Sequence, residues 1–260
     1  MKTKPGLRII KIGGNIIDNE QLLSEFLTDF SELKGHKILV HGGGKKASEI
    51  AEKLGLKPCF SNGRRITDEA MLDVAIMTYS GLLNKQIVAQ LQQFGTNSIG
   101  FSGADGNLIQ SEKRKNTEID FGFVGDVIQV NNKLISALLV QNCIPVFSAI
   151  THDGKGQLLN TNADTIAAEI AISLSKEYEV ELIYCFEKKG VLLDSEDEDS
   201  VIEVLDFEKY QILKNDQTLH SGMLPKLENC FKSLKNGVHT IVIGNQKTLK
   251  NKATATQIKL

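Results

Sequence analysis

The sequence lacks the features that mark a disulfide-stapled, membrane-spanning or nucleic-acid-binding protein. Its four cysteines lie far apart and form no Cys-x-x-Cys pair, so we expect reduced thiols, not a disulfide framework or a zinc site. No stretch approaches the roughly 18 apolar residues of a membrane helix, and the N-terminal apolar run is too short for a secretory signal. The net charge of -2 provides no basic field for nucleic acid or acidic membranes. We therefore expect a cytoplasmic protein.

Segments of β-strand and helical character alternate along the first fifty residues. Apolar, β-branched runs at 7–12 and 37–41 predict strands, and helical spacing of apolar residues at 20–33 and 45–54 predicts helices. This order is typical of a mainly parallel sheet with helices packed on it. The 260 residues are enough for one large α/β domain or two lobes.

The rest of the chain continues this α/β pattern. The polar segment 58–67 contains Asn62-Gly63, a dipeptide that favours a tight hairpin turn. A division into lobes is expected near 175–179. Further helices are predicted at 68–94, 134–141, 163–174 and 224–234, strands at 98–101, 144–150, 180–186 and 240–243, and one or two hairpins within 113–130.

Glycine-rich loops follow both early strands, with the sequences IGGN at 12–15 and HGGG at 41–44. Glycine lets a ligand approach the backbone and leaves consecutive N–H groups free to face an anion. Both strand ends of a parallel sheet lie at one edge, where open α/β folds bind ligands, so the two loops suggest a phosphoryl group shared between two substrates. The alternative is a tight turn alone, because GGG matches neither the dinucleotide fingerprint nor the P-loop.

Polar residues elsewhere support an anion site. Lys11 ends an otherwise apolar strand, which is costly unless the ammonium meets an anion or reaches water. Asn160, Asn162 and Asp164 alternate, so an extended backbone would place them on one face, although helix capping explains one of them. We expect His41 to be structural and the acidic run 194–199 to be a solvated loop.

Seven motifs, in this order, resemble the amino-acid kinase family, and within it the members that act on N-acetyl-L-glutamate. They are KIGGN, HGGGKKASEIAEKLG, NGRRIT, GADG, GFVGDV, NTNADTIAAEIA and SGMLPK, and the likeness extends from residue 8 to about 244. It implies an α/β fold, an open three-layer αβα sandwich with a mainly parallel central sheet. It also implies an N-terminal lobe, 1–175, for the N-acyl-glutamate and a C-terminal lobe, 176–260, for ATP with Mg²⁺. The implied reaction phosphorylates the γ-carboxylate in arginine biosynthesis.

The resemblance implies roles for the residues that match. Lys11 would contact the transferring phosphoryl group from the acceptor side and Lys226 from the ATP side, with Asp164 holding both lysines. A carboxylate acceptor, with a free pKa of ~4.3, needs no general base at neutral pH. A valine at Gly44 is expected to impair folding or substrate binding. The predicted substrate-binding residues are Gly43, Gly44, Arg65, Asn160 and Asn162, and the predicted ATP-binding residues are Gly13, Gly14, Glu187, Gly190, Ser221 and Gly222.

The nucleotide-binding half departs from the pattern of many family members. EKKG at 187–190 stands where many have DV-x-G, and HSGM at 220–223 where many have T-x-G-M. Only about six residues precede the first strand, too few for the extra helix of arginine-inhibited hexameric members, so we expect a homodimer without arginine feedback. Three alternatives stay open: an N-succinyl-L-glutamate kinase, another kinase of the family, and a non-catalytic amino-acid sensor.

Overall fold

The structure is a computed structural model that describes residues 3–61, 64–115, 118–194, 196–216, 218–219 and 222–260. The strands are β1 Gly6–Ile12, β2 His36–His41, β3 Cys59–Ser61, β4 Arg64–Ile66, β5 Ser98–Phe101, β6 Ile109–Lys113, β7 Gly125–Val130, β8 Ile144–Phe147, β9 Ile150–His152, β10 Leu158–Asn160, β11 Glu179–Cys185, β12 Val204–Leu205, β13 Thr240–Gly244 and β14 Thr256–Ile258. The α-helices are α1 Gly14–Ile17, α2 Glu20–Glu32, α3 Gly44–Lys53, α4 Glu69–Ile76, α5 Asn84–Gln93, α6 Asn132–Val140, α7 Ala163–Leu174, α8 Phe207–Asn215 and α9 Leu224–Lys235. A π-helical segment, Met77–Leu83, joins α4 to α5, and short 3₁₀ turns lie at Asp105–Asn107 and Gln246–Leu249.

The contacts within the chain form two compact units. The first unit contains Met1–Lys37 and Ala167–Leu260. Its strands lie in the order β12-β14-β13-β11-β1. β1 runs parallel to β11, from Gly6 opposite Glu179 to Ile12 opposite Cys185, and β11 runs parallel to β13. Only the β13–β14 pair of this set is antiparallel.

The second unit contains Ile38–Ile166. β2, β8 and β5 lie side by side and run parallel, with Val40 opposite Phe147 and Phe101 opposite the same residue. A four-stranded sheet in the order β10-β9-β6-β7 and the antiparallel pair β3–β4 complete the unit. Ile9, Ile10 and Ile12 of β1 and the residues 38–40 of β2 are fully buried, as expected for strands covered on both faces.

The predicted α/β class with a mainly parallel sheet is confirmed, with differences in detail. β5 and α7 have the predicted bounds, whereas the predicted strand 144–150 is divided into β8 and β9. The predicted helix 68–94 is interrupted by the π-helical segment. β10, β12, β14 and α8 were not predicted. The predicted Asn62-Gly63 turn lies outside the described residues, but β3 and β4 on either side of it are antiparallel.

The lobe assignment, 1–175 for the acyl-glutamate and 176–260 for ATP, stays a prediction. The boundary between the units, at 166/167, lies near the predicted one. The first 37 residues, however, pack with the C-terminal part of the chain, because β1 pairs with β11.

Lys37 closes the C-terminus of α2 from inside the first unit. Its ammonium donates hydrogen bonds to the carbonyl oxygens of Phe30 at 2.7 Å, Ser31 at 2.9 Å and Leu33 at 2.9 Å. The residue is only 4% exposed, so it satisfies carbonyls that a helix end otherwise leaves without partners. Burial, with smaller contributions from the charges of Lys34 and Arg8, lowers the pKa of Lys37 to about 8.

We expect Lys37→Met to lower the free energy of unfolding by about 2 kcal/mol at pH 7, because the three carbonyls lose their donor. Lys34→Met is the matched control and should change it by less than about 0.5 kcal/mol, since Lys34 is exposed. Because the pKa of Lys37 is about 8 in the folded chain and 10.5 for an unperturbed lysine, the unfolded chain binds more protons between these pH values. The stability of the wild type relative to Lys37→Met should therefore rise as the pH is raised from 8 to 10.5. Urea titrations at several pH values measure both effects, and equal losses for the two variants would contradict the capping role.

Candidate active site

The predicted substrate-binding residues line one cavity of the second unit, which has a volume of about 220 Å³. The structure thus brings together Gly43, Gly44, Arg65, Asn160 and Asn162. It adds residues that the sequence did not identify as site residues, namely Gly42, Phe60, Arg64, Tyr79, Arg114, Val124, Ala149, Thr161 and Ala163.

Arg65 forms the cationic wall of this cavity. Its Nη2 donates to the carbonyl oxygen of Gly44 at 2.7 Å and to Ser48 Oγ at 2.8 Å. The guanidinium stacks on the ring of Phe60, its neighbour across the β3–β4 pair, at 4.6 Å from the ring centroid. Arg65 is 9% exposed, and its buried Nη1 has no hydrogen-bond partner among the described residues. Arg64, the preceding residue, also lines the cavity but is exposed.

Gly43 is the position of the HGGG loop at which the fold leaves no space for a side chain. Its φ of +148° is a conformation that other residues rarely adopt. A Cβ there would lie 2.3 Å from Leu83 Cδ1 and 3.1 Å from Tyr79 Cδ1, both on the π-helical segment. A Cβ on Gly44 would meet only ordinary contacts, at 3.8 Å from Arg65 Nη2 and 3.9 Å from the Tyr79 hydroxyl. The steric requirement expected at Gly44 therefore lies at Gly43.

The Asn-x-Asn-x-Asp segment combines structural hydrogen bonds with the cavity wall. Asn160, at the end of β10, donates from Nδ2 to Thr67 Oγ1 at 3.0 Å. Asn162 caps α7, because its Oδ1 accepts from the backbone N–H of Asp164 at 2.7 Å and of Thr165 at 3.2 Å. The capping alternative thus applies to Asn162. Asp164 lies in the first turn of α7, and its contact with the two lysines stays a prediction.

His41 supports the glycine loop as a structural residue. It is fully buried at the end of β2. Its Nε2 lies 3.0 Å from Asn84 Nδ2, and its Nδ1 lies 2.9 Å from the carbonyl oxygen of Gly42. Because the amide nitrogen of Asn84 can only donate, these contacts assign the proton of neutral His41 to Nδ1.

Arg114 and Asp126 form an ion pair that the sequence analysis did not identify. Arg114 Nε lies 3.1 Å from both carboxylate oxygens of Asp126, and Nη2 contacts Oδ1 as well. Arg114 follows β6 and Asp126 lies on β7, the paired strand. The predicted hairpin within 113–130 is the signal that could have placed the two side chains together. Asp126 therefore fixes Arg114 at the cavity wall.

The first unit has a separate cavity of about 300 Å³ at the segments EKKG and HSGM. Glu187, Gly190 and Gly222 line it, as does Lys226. Ser221, the remaining predicted ATP-binding residue of this segment, lies outside the described residues. The other lining residues are Lys188, Thr218 and five apolar ones, namely Phe186, Val191, Leu192, Leu219 and Met223.

Lys11 and Lys226 both lie near the carboxyl end of β11. Lys11 is paired with Tyr184 in the sheet register. The ammonium of Lys226 lies over the rings of Tyr184, at 5.1 Å, and Phe186, at 5.7 Å. Burial raises the pKa of the Cys185 thiol to about 12, although the charges of Lys11 and Lys226 act in the opposite direction. Two cations thus converge beside an inert, fully buried thiol.

Two glycines assigned to ATP binding also have structural reasons for their positions. The N–H of Gly13 donates to the carbonyl oxygen of Cys185 at 2.9 Å, so this amide is engaged in the sheet and does not face a phosphate. A Cβ on Gly190 would lie 2.6 Å from Thr256 Oγ1 and 2.7 Å from Val201 Cγ1. Gly14 begins α1, a helix of 4 residues.

The acidic run after this cavity pairs with the lysines of EKKG. Lys188 lies 3.1 Å from Glu198, and Lys189 lies 2.7 Å from Asp199. Both carboxylates are exposed, as expected for a solvated loop, and they are two of the five acidic side chains in the run. Within the described part of the chain, no three His, Cys, Asp or Glu side chains are grouped to hold a metal ion.

A larger cavity of about 420 Å³ lies at the amino ends of β1, β11 and β13, and two pairs of its ionisable groups face each other. Arg8 Nε lies 3.4 Å from Glu181, and His239 Nε2 lies 3.3 Å from Glu179. We do not assign the phosphoryl chemistry to this cavity, because open α/β folds bind ligands at the carboxyl ends of their strands.

Among the described helices, none is long and apolar enough to cross a membrane.

Comparison with known proteins gives a consistent result. The model of the amino acid kinase family matches residues 6–245. The acetylglutamate kinase of Phocaeicola vulgatus is 49% identical over 256 residues, which cover 98% of this chain and 99% of that protein. The acetylglutamate kinase of Methanopyrus kandleri is 36% identical over 247 residues, with coverages of 94% and 96%. A crystal structure of a Streptococcus mutans protein matches with a TM-score of 0.80 at 25% identity, covering 97% of this chain and 98% of that one.

Proposed function

Because the chain belongs to the amino acid kinase family, we propose that it transfers the γ-phosphoryl group of ATP to the γ-carboxylate of N-acetyl-L-glutamate. The products are N-acetyl-L-glutamyl 5-phosphate and ADP. The observation that carries the proposal is Arg65, a nearly buried guanidinium in the glycine-loop cavity whose Nη1 has no partner among the described residues.

The second-unit cavity suits an acyl amino acid with carboxylates. A guanidinium forms strong, directional hydrogen bonds with a planar carboxylate, so Arg65 Nη1 is the proposed donor to the substrate's α-carboxylate. Gly43 lets Leu83 and Tyr79 pack against the loop, and Gly44 leaves room for the substrate beside the backbone. Asn160 and Asn162 are proposed to complete the site.

The chemistry requires charge stabilisation, not proton removal. The acceptor carboxylate is ionised at neutral pH, since its free pKa is ~4.3. The difficulty is the approach of this anion to the anionic γ-phosphate, so fixed cations supply the main catalytic effect. We assign this role to Lys11 and Lys226, with Asp164 as the proposed group that orients them.

MgATP is the proposed second substrate, bound at the first-unit cavity by Glu187, Gly190, Ser221 and Gly222, with Gly14 toward the phosphates. Mg²⁺ arrives on the nucleotide, where few protein ligands are needed. Finer proposals follow from the same family membership: a place in arginine biosynthesis, a cytoplasmic location and a homodimer.

The test is ADP release with MgATP and purified protein, with hydroxylamine present to trap an acyl phosphate. N-acetyl-L-glutamate, N-succinyl-L-glutamate, L-glutamate and L-aspartate are compared as acceptors. We expect turnover with N-acetyl-L-glutamate and a hydroxamate product. Turnover with a different acceptor alone would replace the proposed substrate, and no turnover with any would favour a non-catalytic sensor.

A further inference from the structure

The polar ends of Tyr79 and Arg65 converge above Gly44. The Tyr79 hydroxyl and Arg65 Nη2 lie 3.9 Å and 3.8 Å from the position that a Cβ on Gly44 would take. Both residues line the cavity, and Tyr79 is only 4% exposed. The hydroxyl is thus an uncharged polar group close to the guanidinium.

The π-helical segment Met77–Leu83 places Tyr79 there. A π-helical turn holds more residues than an α-helical one, and such segments are frequent at functional sites. The Tyr79 ring packs so closely on Gly43 that a Cβ on that glycine would lie 3.1 Å from Cδ1. On the same segment, Ser80 Oγ lies 2.7 Å from Ser148 Oγ, which ties the helix to the end of β8. The position of the phenol is therefore fixed from both sides.

We propose that Tyr79 is a positioning residue, whose hydroxyl holds the Arg65 guanidinium in the orientation that binds the substrate carboxylate. The role rests on the proposed function. Gly44 and Ser48 hold Nη2, and Phe60 supports one face of the guanidinium. The Tyr79 hydroxyl, which hydrogen-bonds to the Arg65 side chain, adds a further contact to this guanidinium. Nη1 has no partner among the described residues and is left for the substrate.

The ionisation state of Tyr79 is consistent with this role. Burial raises the pKa of its hydroxyl, while the adjacent Arg65 charge acts in the opposite direction without reversing the shift. The hydroxyl is therefore neutral at physiological pH, so it does not cancel the positive charge that the substrate needs.

The first test is Tyr79→Phe, which removes the hydroxyl and keeps the ring against Gly43. We expect the KM for N-acetyl-L-glutamate to rise about tenfold, the effect of one lost hydrogen bond to a charged group. The kcat, the KM for ATP and the unfolding midpoint should change little. Tyr178→Phe is the matched control, since Tyr178 is a buried tyrosine of the first unit that faces His36, and its KM should equal that of the wild type.

A double-mutant cycle separates a positioning role from an independent contact. In the Arg65→Ala background, Tyr79→Phe should have no further effect on substrate affinity, because Tyr79 acts through Arg65. Calorimetric titration with N-acetyl-L-glutamate measures affinity where turnover is too slow. Additive effects of the two substitutions would overturn the proposal.

The outcomes also separate this inference from the proposed function. If the wild type phosphorylates N-acetyl-L-glutamate and Tyr79→Phe has an unchanged KM, the positioning role is wrong and the function stands. If the wild type neither binds nor phosphorylates an acyl-glutamate, the function is wrong. In that case the rotation of the Arg65 guanidinium in the free protein, measured by ¹⁵N NMR, still tests the positioning role. The rotation should be faster in Tyr79→Phe than in the wild type. An unchanged rotation rate would contradict the positioning role.

Discussion

Replacing Lys226 or Lys11 with alanine is expected to lower kcat by about 10²- to 10³-fold, the loss typical of removing one fixed group that stabilises transition-state charge. Each lysine is proposed to act on the transferring phosphoryl group, so the loss should appear in kcat more than in KM. Initial rates of ADP release with varied acceptor and varied ATP measure both parameters. The unfolding midpoint should shift by less than about 5 °C, since neither ammonium fills a packed core.

Lys232→Ala is the matched control for the Lys226 variant. Lys232 lies on the same helix, α9, and pairs with Glu169 at 2.5 Å, outside the residues that line the cavity. Its kcat should equal that of the wild type. Near-normal turnover in both Lys11→Ala and Lys226→Ala would show that the proposed charge stabilisation is wrong.

Gly43→Ala is expected to destabilise the protein by about 3 kcal/mol. The substitution adds overpacking against Leu83 to the strain of a side chain at φ +148°. It should also weaken binding of N-acetyl-L-glutamate, because the displaced π-helical segment carries Tyr79. Denaturant unfolding gives the stability, and calorimetric titration gives the affinity.

Gly44→Ala distinguishes this local requirement from a general need for glycine in the loop. Gly44 begins α3, and a Cβ there meets no atom closer than 3.8 Å. Alanine is also a better helix former than glycine, so the free energy of unfolding of the Gly44→Ala protein should be equal to that of the wild type or slightly higher. Equal destabilisation by the two substitutions would contradict the assignment of the steric requirement to Gly43.

The sequence predicted the elements whose residues are buried in a regular pattern. α7 has the expected bounds, because its buried apolar residues recur with a clear helical period. The two-residue edge strand β12 and the three-residue strand β14 beside it were missed, since such short segments depend on pairing with distant residues. The π-helical segment was missed because its residues are compatible with an ordinary α-helix, and the additional residue per turn is a response to packing.

The site was predictable where its residues follow strands and glycine loops. The motifs placed Gly43, Gly44, Arg65, Asn160 and Asn162, which the structure brings to one cavity. They gave no indication of Tyr79 or Arg114, because these side chains reach the cavity from a helix interior and a hairpin edge. They also did not indicate that Gly43, and not Gly44, is the position where a side chain is excluded, since a positive φ depends on the neighbouring helix.

The pairing of β1 with β11 affects the order in which the units can be completed during synthesis. Residues 38–166 form a continuous segment, so they can make their contacts as soon as they leave the ribosome. β1 is made earlier but meets its partner only after about 170 more residues, which takes roughly 10 to 30 seconds at typical translation rates. During that interval the strand GLRIIKI lacks β11, so the edge that pairs with β11 is left open. The nascent chain therefore carries a transient aggregation hazard at its beginning, which ends when the last third of the protein is translated.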